Sequence, residues 1–217
     1  AALAVRLASA GCHLSLGART PETLKTAFGA ETATRRHFRF DATDRACFEP
    51  WVDGTLSAFG RIDVLINNTG TSNRFSIEAG DEADLDALWT INVKAPLFLT
   101  RYCLPHLRRS GTGRILNVAS LSGKRVRNEN VAYNMTKHAL IALSHGTRRI
   151  GWDDGIRVTT LCPSFVRTDL TASVTKVGPD AMIQAEDLAD LAVTALHLPN
   201  TAALPELLVN CRLEDQY

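Results

Sequence analysis

The chain has 217 residues, a length that a single hydrophobic core can serve, so a second domain is not required. Its 24 lysines and arginines against 23 aspartates and glutamates leave a net charge of +1, which excludes the strongly basic composition of proteins that bind nucleic acid or anionic membranes. There is no apolar run near the roughly 18 residues that span a bilayer and no signal peptide, so we expect a cytoplasmic protein without a membrane partner.

In chain order, apolar periodicity and the placement of Gly and Pro predict alternating helices and strands. The prediction is helix 1–10, strand 12–16, helix 21–29, strand 37–40, helix 45–60, strand 62–66, helix 84–109, strand 114–119, helix 131–152, strand 156–162, helix 188–198 and strand 206–210. Pro96 and Pro105 are expected to bend or divide the longest helix.

Strands separated by helices of this length are typical of an α/β fold, a single-domain doubly wound parallel sheet with helices on both faces. We expect one domain over residues 1–217. The run 62–66 is continuously apolar, as in a strand buried on both faces. Ligands of such sheets bind at the carboxyl ends of the strands.

The cysteines and histidines form no recognisable metal site. The five cysteines are odd in number, widely spaced and without a C-x-x-C pair, which favours reduced thiols in a reducing compartment over a disulfide framework. The six histidines show neither H-x-x-x-H nor H-E-x-x-H spacing. We therefore expect no metal.

A tyrosine and a lysine stand four residues apart in the predicted helix 131–152. This spacing places Tyr133 and Lys137 on one helix face. An adjacent ammonium lowers the pKa of a phenol from about 10, which makes tyrosine a usable proton donor or acceptor. Ser120, at the end of strand 114–119, could hydrogen-bond the substrate oxygen beside that hydroxyl. Taken alone, the pair is also typical of a solvated helix face.

The pair belongs to a larger set of motifs. Ser120 lies thirteen positions before Tyr133, Asn-Asn-Thr-Gly follows an apolar strand, and Asn92 occurs as I-N-V in a helical run. This set resembles the short-chain dehydrogenase/reductase family, which has a Rossmann-like fold and moves a hydride between a nicotinamide dinucleotide and a carbonyl or alcohol. The resemblance covers nearly the whole chain.

The resemblance implies a role for each member of the set. Tyr133 would be the general acid or base, and Lys137 would lower its pKa and bond the nicotinamide ribose. Ser120 would polarise the oxygen of a small carbonyl or alcohol substrate, and Asn92 would position a water. Two alternatives stay open: Asn92 could simply kink its helix, and Ser120 could be a strand-end cap.

The adenosine end is expected to select NADP(H) over NAD(H). Ala18 stands where an acidic residue of the family would bond the ribose 2′-hydroxyl, and Arg19 follows it. A guanidinium can pair with a 2′-phosphate. Asp41 and Ala42 match the position that flanks the adenine. A solvated loop at Arg19 and a turn aspartate at Asp41 remain the alternatives.

Asn68, Thr69 and Gly70 stand where family members usually show Asn-Ala-Gly. The glycine would let backbone approach the cofactor ribose, and the asparagines can tie neighbouring strands together. A strand-terminating turn is the alternative.

The run from Pro163 to Thr168 resembles the Pro-Gly segment that lies along the nicotinamide. Ser164 replaces the glycine, a departure from the family pattern. The resemblance implies that Pro163, Val166 and Thr168 contact the cofactor, with the last two at its carboxamide.

The largest departure from the family pattern is at the N-terminal end of the sequence. Family members begin with a strand and a T-G-x-x-x-G-x-G turn that holds the pyrophosphate, and Ala1 matches the residue after the last glycine. We expect the natural protein to include both, since a chain without that strand would leave backbone groups of its neighbours unpaired.

The same residues leave other functions and assemblies open. A catalytically silent dinucleotide-binding sensor is the main alternative, although such relatives usually lose the tyrosine or lysine retained here. A nucleotide-sugar epimerase needs a larger C-terminal region than the about fifty residues after Pro163. Relatives pair their two long helices with symmetry mates, which implies a homo-oligomer, a tetramer or dimer.

The basic run at Lys124, Arg125 and Arg127 predicts either attraction of an acidic substrate or a solvated loop.

Overall fold

The computed structural model describes residues 1–214 and 216, and it confirms the predicted alternation of helices and strands. The helices are α1 (Ala2–Ser9), α2 (Pro21–Phe28), α3 (Phe48–Phe59), α4 (Glu82–Trp89), α5 (Ala95–Ser110), α6 (Val131–Gly151) and α7 (Ala185–His197). The strands are β1 (Leu14–Ala18), β2 (Arg35–Arg39), β3 (Val64–Asn67), β4 (Arg114–Val118), β5 (Arg157–Pro163) and β6 (Glu206–Val209). The bounds differ from those predicted by a few residues.

The strands pair in parallel, in the orders β1-β2 and β3-β4-β5-β6. Within residues 1–214, no ladder joins β1 to β3. Register partners include Ala18 with Arg39 and Asn67 with Asn117. The carboxyl ends of paired strands therefore lie level with one another.

Helices cover both faces of the sheet. Ile115 and Leu116 are neighbours on β4, and both have no exposed surface. Ile115 packs with Phe48 of α3 and Leu107 of α5, and Leu116 packs in a second cluster that includes residues of α1 and α7. Because successive strand residues point to opposite faces, a continuously apolar strand requires this two-sided cover. The α/β fold class is confirmed.

The predicted helix 84–109 is divided by a π-helical turn at Thr90–Lys94. Pro96 directly follows the start of α5 after this turn, and Pro105 lies inside α5 without ending it. The turn carries Asn92 into the interior, where it has no exposed surface. Single π turns of this kind recur at functional sites.

Two further findings concern the cysteines and the possibility of a membrane-spanning helix. All five cysteines are free thiols. Within the part of the chain that the structure describes, no helix has both the length and the apolar character to cross a bilayer.

Candidate active site

Asparagine side chains tie the sheet to its helices where β3 and β4 end. The Asn67 amide donates to Asn117 Oδ1 at 2.8 Å and to Thr100 Oγ1 of α5 at 3.3 Å. Asn117 in turn donates to Ser144 Oγ of α6 at 2.8 Å. The predicted tie between strands therefore belongs to Asn67, whereas Asn68 is exposed. A buried network in which each amide has partners fixes both helices relative to the strand ends.

The start of α6 is set by Asn130. Its Oδ1 accepts a hydrogen bond from Tyr133 N at 3.3 Å, as an N-cap does. Its Nδ2 donates to Ser72 Oγ at 3.1 Å and to the Asn73 carbonyl. Asn130 therefore joins the loop after β3 to the helix that carries Tyr133. The sequence analysis missed this residue, although an asparagine just before an apolar helical run is a standard start signal.

Ser120 and Tyr133 come together as predicted. Burial raises the pKa of Tyr133, and a hydrogen bond with Ser120 opposes that rise. Ser120 Oγ also accepts from Ser122 N at 3.1 Å and lies 3.5 Å from the Pro163 carbonyl. Ser120 thus caps the short 3-10 turn that follows β4, as the cap alternative proposes, and it also lies beside Tyr133.

Lys137 lies one turn further along α6. Its Nζ is 5.6 Å from the centroid of the Tyr133 ring and donates to the Val118 carbonyl at 3.0 Å. Burial lowers the pKa of Lys137 to about 8. Burial raises the pKa of Tyr133 despite the opposing contact with Ser120, so a lowering of that pKa by Lys137 stays a prediction.

Gly70 lets the loop after β3 approach Lys137 and Asn92. A Cβ at Gly70 would lie 3.4 Å from Lys137 Nζ and 3.5 Å from Asn92 Oδ1. These two atoms therefore flank the same point of the backbone. This placement brings Asn92 to the predicted site.

The Asn92 amide is occupied by protein partners. Its Oδ1 accepts from Thr71 N at 2.9 Å, and its Nδ2 donates to Thr71 O at 2.9 Å and to Thr136 Oγ1 at 3.1 Å. Asn92 thus fastens the π turn to the loop after β3 and to α6. Its water-positioning role stays a prediction.

A groove of about 380 Å³ runs along the carboxyl ends of β1, β2 and β3. Its lining residues are Gly17, Ala18, Arg19, Phe40, Asp41, Ala42, Thr43, Thr69, Gly70, Thr71 and Ile91. Five predicted cofactor residues, Arg19, Asp41, Ala42, Thr69 and Gly70, thus share one surface. The groove lies where doubly wound folds bind nucleotides.

Asp41 forms a tight turn at the edge of this groove. Its Oδ1 accepts from Thr43 N at 2.9 Å and from Thr43 Oγ1 at 2.7 Å. These bonds hold the pKa of Asp41 below its usual value, with smaller contributions from Arg39 and Arg19. The turn alternative for Asp41 is therefore confirmed, and contact with the adenine stays a prediction. Arg19 is exposed at the rim.

Ser164, which stands where the family pattern has glycine, holds the segment after β5 against the C-terminal residues. Ser164 Oγ accepts from Cys211 N at 2.9 Å, and Ser164 N donates to Val209 O at 2.9 Å. Val166 bridges to Ile183, and exposed Thr168 caps a short 3-10 turn. Ser164 thus links this segment to the C-terminal residues, a role that the family pattern did not indicate.

The basic run after Ser120 is compensated by carboxylates. Lys124 Nζ lies 2.8 Å from Glu206 Oε2, and Arg125 and Arg127 both contact Glu214. Both alternatives drawn from the sequence stay open, because residues 126–129 are exposed while the three cations are held in ion pairs.

Comparison with known proteins identifies similar chains. A family model described as short chain dehydrogenase matches residues 1–177. Two proteins of Rhizobium rhizogenes named agropine synthesis reductase are each 42% identical, over 98% and 97% of this chain. The matches take in 50% and 49% of their own length, so the chain spans about half the length of these curated relatives.

Solved structures share the fold. ElxO with NADP bound gives a TM-score of 0.87 over 96% of this chain and 91% of its own, at 21% identity. A metagenomic short-chain oxidoreductase in complex with NADP gives a TM-score of 0.79 over 98% of this chain and 91% of its own, at 27% identity.

Proposed function

Because the chain belongs to the short-chain dehydrogenase/reductase family of NAD(P)-dependent oxidoreductases, we propose that it transfers a hydride between NADP(H) and a small carbonyl or alcohol. The observation that carries the proposal is the convergence of Ser120, Tyr133 and Lys137 beside Asn92 and Gly70. These residues come from four separate segments of the chain.

In the reducing direction, Tyr133 gives its proton to the carbonyl oxygen. The nicotinamide, when bound, supplies the hydride to the carbon, so one hydride and one proton convert the carbonyl to an alcohol. The raised pKa of Tyr133 keeps its phenol protonated near neutral pH, as a donor must be. Ser120 holds the substrate oxygen, and the Lys137 cation stabilises the phenolate that remains. In oxidation the proton moves back to Tyr133.

The cofactor fits the chemistry of the groove. Arg19 would pair with a 2′-phosphate, and Asp41 and Ala42 would flank the adenine. Asn68, Thr69, Gly70 and Lys137 would meet the riboses, and Pro163, Val166 and Thr168 the nicotinamide. NADP in the 27% identical oxidoreductase supports the choice of NADP(H) over NAD(H).

The names of the relatives support reduction as the working direction. Both Rhizobium rhizogenes proteins are called reductases. We extend that direction to this chain and assign its substrate to the small carbonyl compounds.

Assembly and setting complete the proposal. Residues 1–217 act as one domain in the cytoplasm, which the five free thiols support. α5 and α6 pair with symmetry mates to form a tetramer, supported by the exposed Met135 and Ile150 on α6. Light scattering at micromolar concentration tests this, and a monomer mass contradicts it.

The activity is tested by following NADPH absorbance with a panel of carbonyl compounds. The panel pairs acetoacetate with ethyl acetoacetate and includes cyclohexanone and fructose. We expect carbonyl-dependent NADPH oxidation that is absent in Tyr133→Phe. Tight NADPH binding with no turnover across a broad panel favours the silent sensor instead.

A further inference from the structure

Residues 211–214 contact two segments that lead to the candidate active site, the one after β5 and the loop before α6. We call residues 211–214 the C-terminal strap. At its first residue, Cys211 N donates to Ser164 Oγ at 2.9 Å. The next residue places the Arg212 guanidinium 6.0 Å from the centroid of the Phe165 ring. The strap is thus fastened to the segment that follows β5.

The other end of the strap holds the loop that precedes α6. Arg125 Nε donates to Glu214 Oε2 at 2.7 Å, and its terminal nitrogen donates to Oε1 at 2.7 Å. Arg127 adds a contact of 3.4 Å to Oε2. Side-chain exposure is 2% for Glu214 and 11% for Arg125, so the bidentate pair is shielded from solvent. Loss of either partner leaves a buried charge uncompensated.

The loop that Glu214 holds leads directly to the general acid. Asn128 Oδ1 accepts from Asn130 N at 3.0 Å and from Asn134 Nδ2 at 3.1 Å. Asn130 in turn caps α6 at Tyr133. The position of Tyr133 relative to Ser120 therefore depends on a loop whose arginines are anchored by a residue 81 positions after Tyr133.

We propose that Glu214 is a positioning residue, which fixes the loop 124–130 through Arg125 and Arg127 and so fixes Tyr133 against Ser120. The inference rests on the proposed function for its meaning. The contacts from which it is argued all lie within this chain.

The test compares Glu214→Gln with Glu214→Asp by hydrogen exchange. Glutamine keeps the shape but removes the charge, and aspartate keeps the charge on a shorter side chain. We expect exchange of residues 124–133 to rise about tenfold or more in Glu214→Gln and to be partly restored in Glu214→Asp, since the loop opens locally. Exchange in β4 should not change.

A second readout follows Tyr133 itself. Phenolate absorbance of each variant, with Tyr133→Phe subtracted, gives the Tyr133 pKa. Loosening the loop admits water, so the pKa should fall toward that of a free tyrosine in Glu214→Gln. If Glu214 only stabilised the fold away from Tyr133, the Tyr133 pKa would not change.

The matched control is Asp190→Asn, which breaks a bidentate pair with Arg6 that lies on the surface. It should change neither readout. The proposal is overturned by unchanged loop exchange and Tyr133 pKa in Glu214→Gln, or by equal acceleration in β4, which indicates global unfolding. Neither readout needs turnover, so this failure is distinct from a failure of the proposed enzyme activity.

Discussion

Lys137 Nζ lies 5.6 Å from the centroid of the Tyr133 ring, and Lys137 is buried whereas Tyr133 is half-buried. Burial shifts the two groups in opposite directions, raising the pKa of the phenol and lowering that of the ammonium to about 8. Each shift favours the uncharged form. Near neutral pH the phenol is therefore protonated, and Lys137, with a pKa of about 8, still carries its charge.

The depressed Lys137 pKa predicts a rise in stability with pH. From about pH 8 to the usual 10.5 the unfolded chain binds more protons than the folded chain, so the free energy of unfolding increases with pH in this window. In Lys137→Met this contribution is lost. The free energy of unfolding of wild type relative to Lys137→Met should rise by about 1 kcal/mol between about pH 8 and 9.

Denaturant titration at both pH values measures this difference. Taking the difference between the two proteins removes most of the opposing effect of the buried Cys103 and Cys162 thiols, whose pKa is raised to about 12. A constant difference would contradict a buried, pKa-shifted lysine.

Arg19 should set the preference between cofactors. Arg19→Ala removes a charge-assisted bond to the 2′-phosphate, worth about 1.5–3 kcal/mol, so the dissociation constant for NADPH should rise about tenfold or more. NADH has no such phosphate, and its binding should change less than about twofold. Fluorescence titration measures both, with the exposed Lys25→Ala as a control. Equal losses for the two cofactors would place the 2′-phosphate elsewhere.

Two glycines test how closely α6 is packed. A Cβ at Gly123 would lie 2.7 Å from the Lys137 carbonyl oxygen and 2.8 Å from Ile141 Cδ1, whereas one at Gly146 meets nothing within 4 Å. Gly123→Ala should therefore cost about 1–3 kcal/mol and lower turnover, because α6 must shift. Gly146→Ala should stabilise the helix by up to about 1 kcal/mol. Thermal unfolding measures the stability of both variants. Similar stability changes at the two sites would contradict this packing.

Asn92 should contribute more to stability than an exposed neighbour. Asn92→Ala leaves Thr71 N, Thr71 O and Thr136 Oγ1 without their amide partner, at a cost of about 3 kcal/mol in the free energy of unfolding. Asn68→Ala, at an exposed side chain, should stay within about 0.5 kcal/mol of wild type. If the two variants unfold alike in urea, the hydrogen bonds of Asn92 are not stabilising.

The fold and the grouping of the site residues could be predicted from the sequence, because both depend on local signals. Apolar periodicity predicts the elements, and parallel strands bring Arg19, Asp41, Gly70 and Ser120 to one edge. The π turn in helix 84–109 was harder, since Pro96 and Pro105 predicted a bend or a division but gave neither its kind nor its position.

Long-range burial explains what the sequence could not show. No spacing rule connects Arg125 with Glu214 or Ser164 with Cys211, because each contact joins segments far apart in the chain. The rise in the Tyr133 pKa likewise depends on how deeply packing buries the phenol, whereas the Tyr-Lys spacing suggested the opposite direction.

The central claim is that Tyr133 donates the proton to the substrate oxygen. The most direct measurement is the turnover number of Tyr133→Phe relative to wild type with a carbonyl substrate, alongside the NADPH dissociation constant of each. We predict a loss of about 10²–10⁴-fold in turnover, the usual contribution of a positioned general acid, with NADPH binding within about twofold. Turnover above about a tenth of wild type would contradict the account.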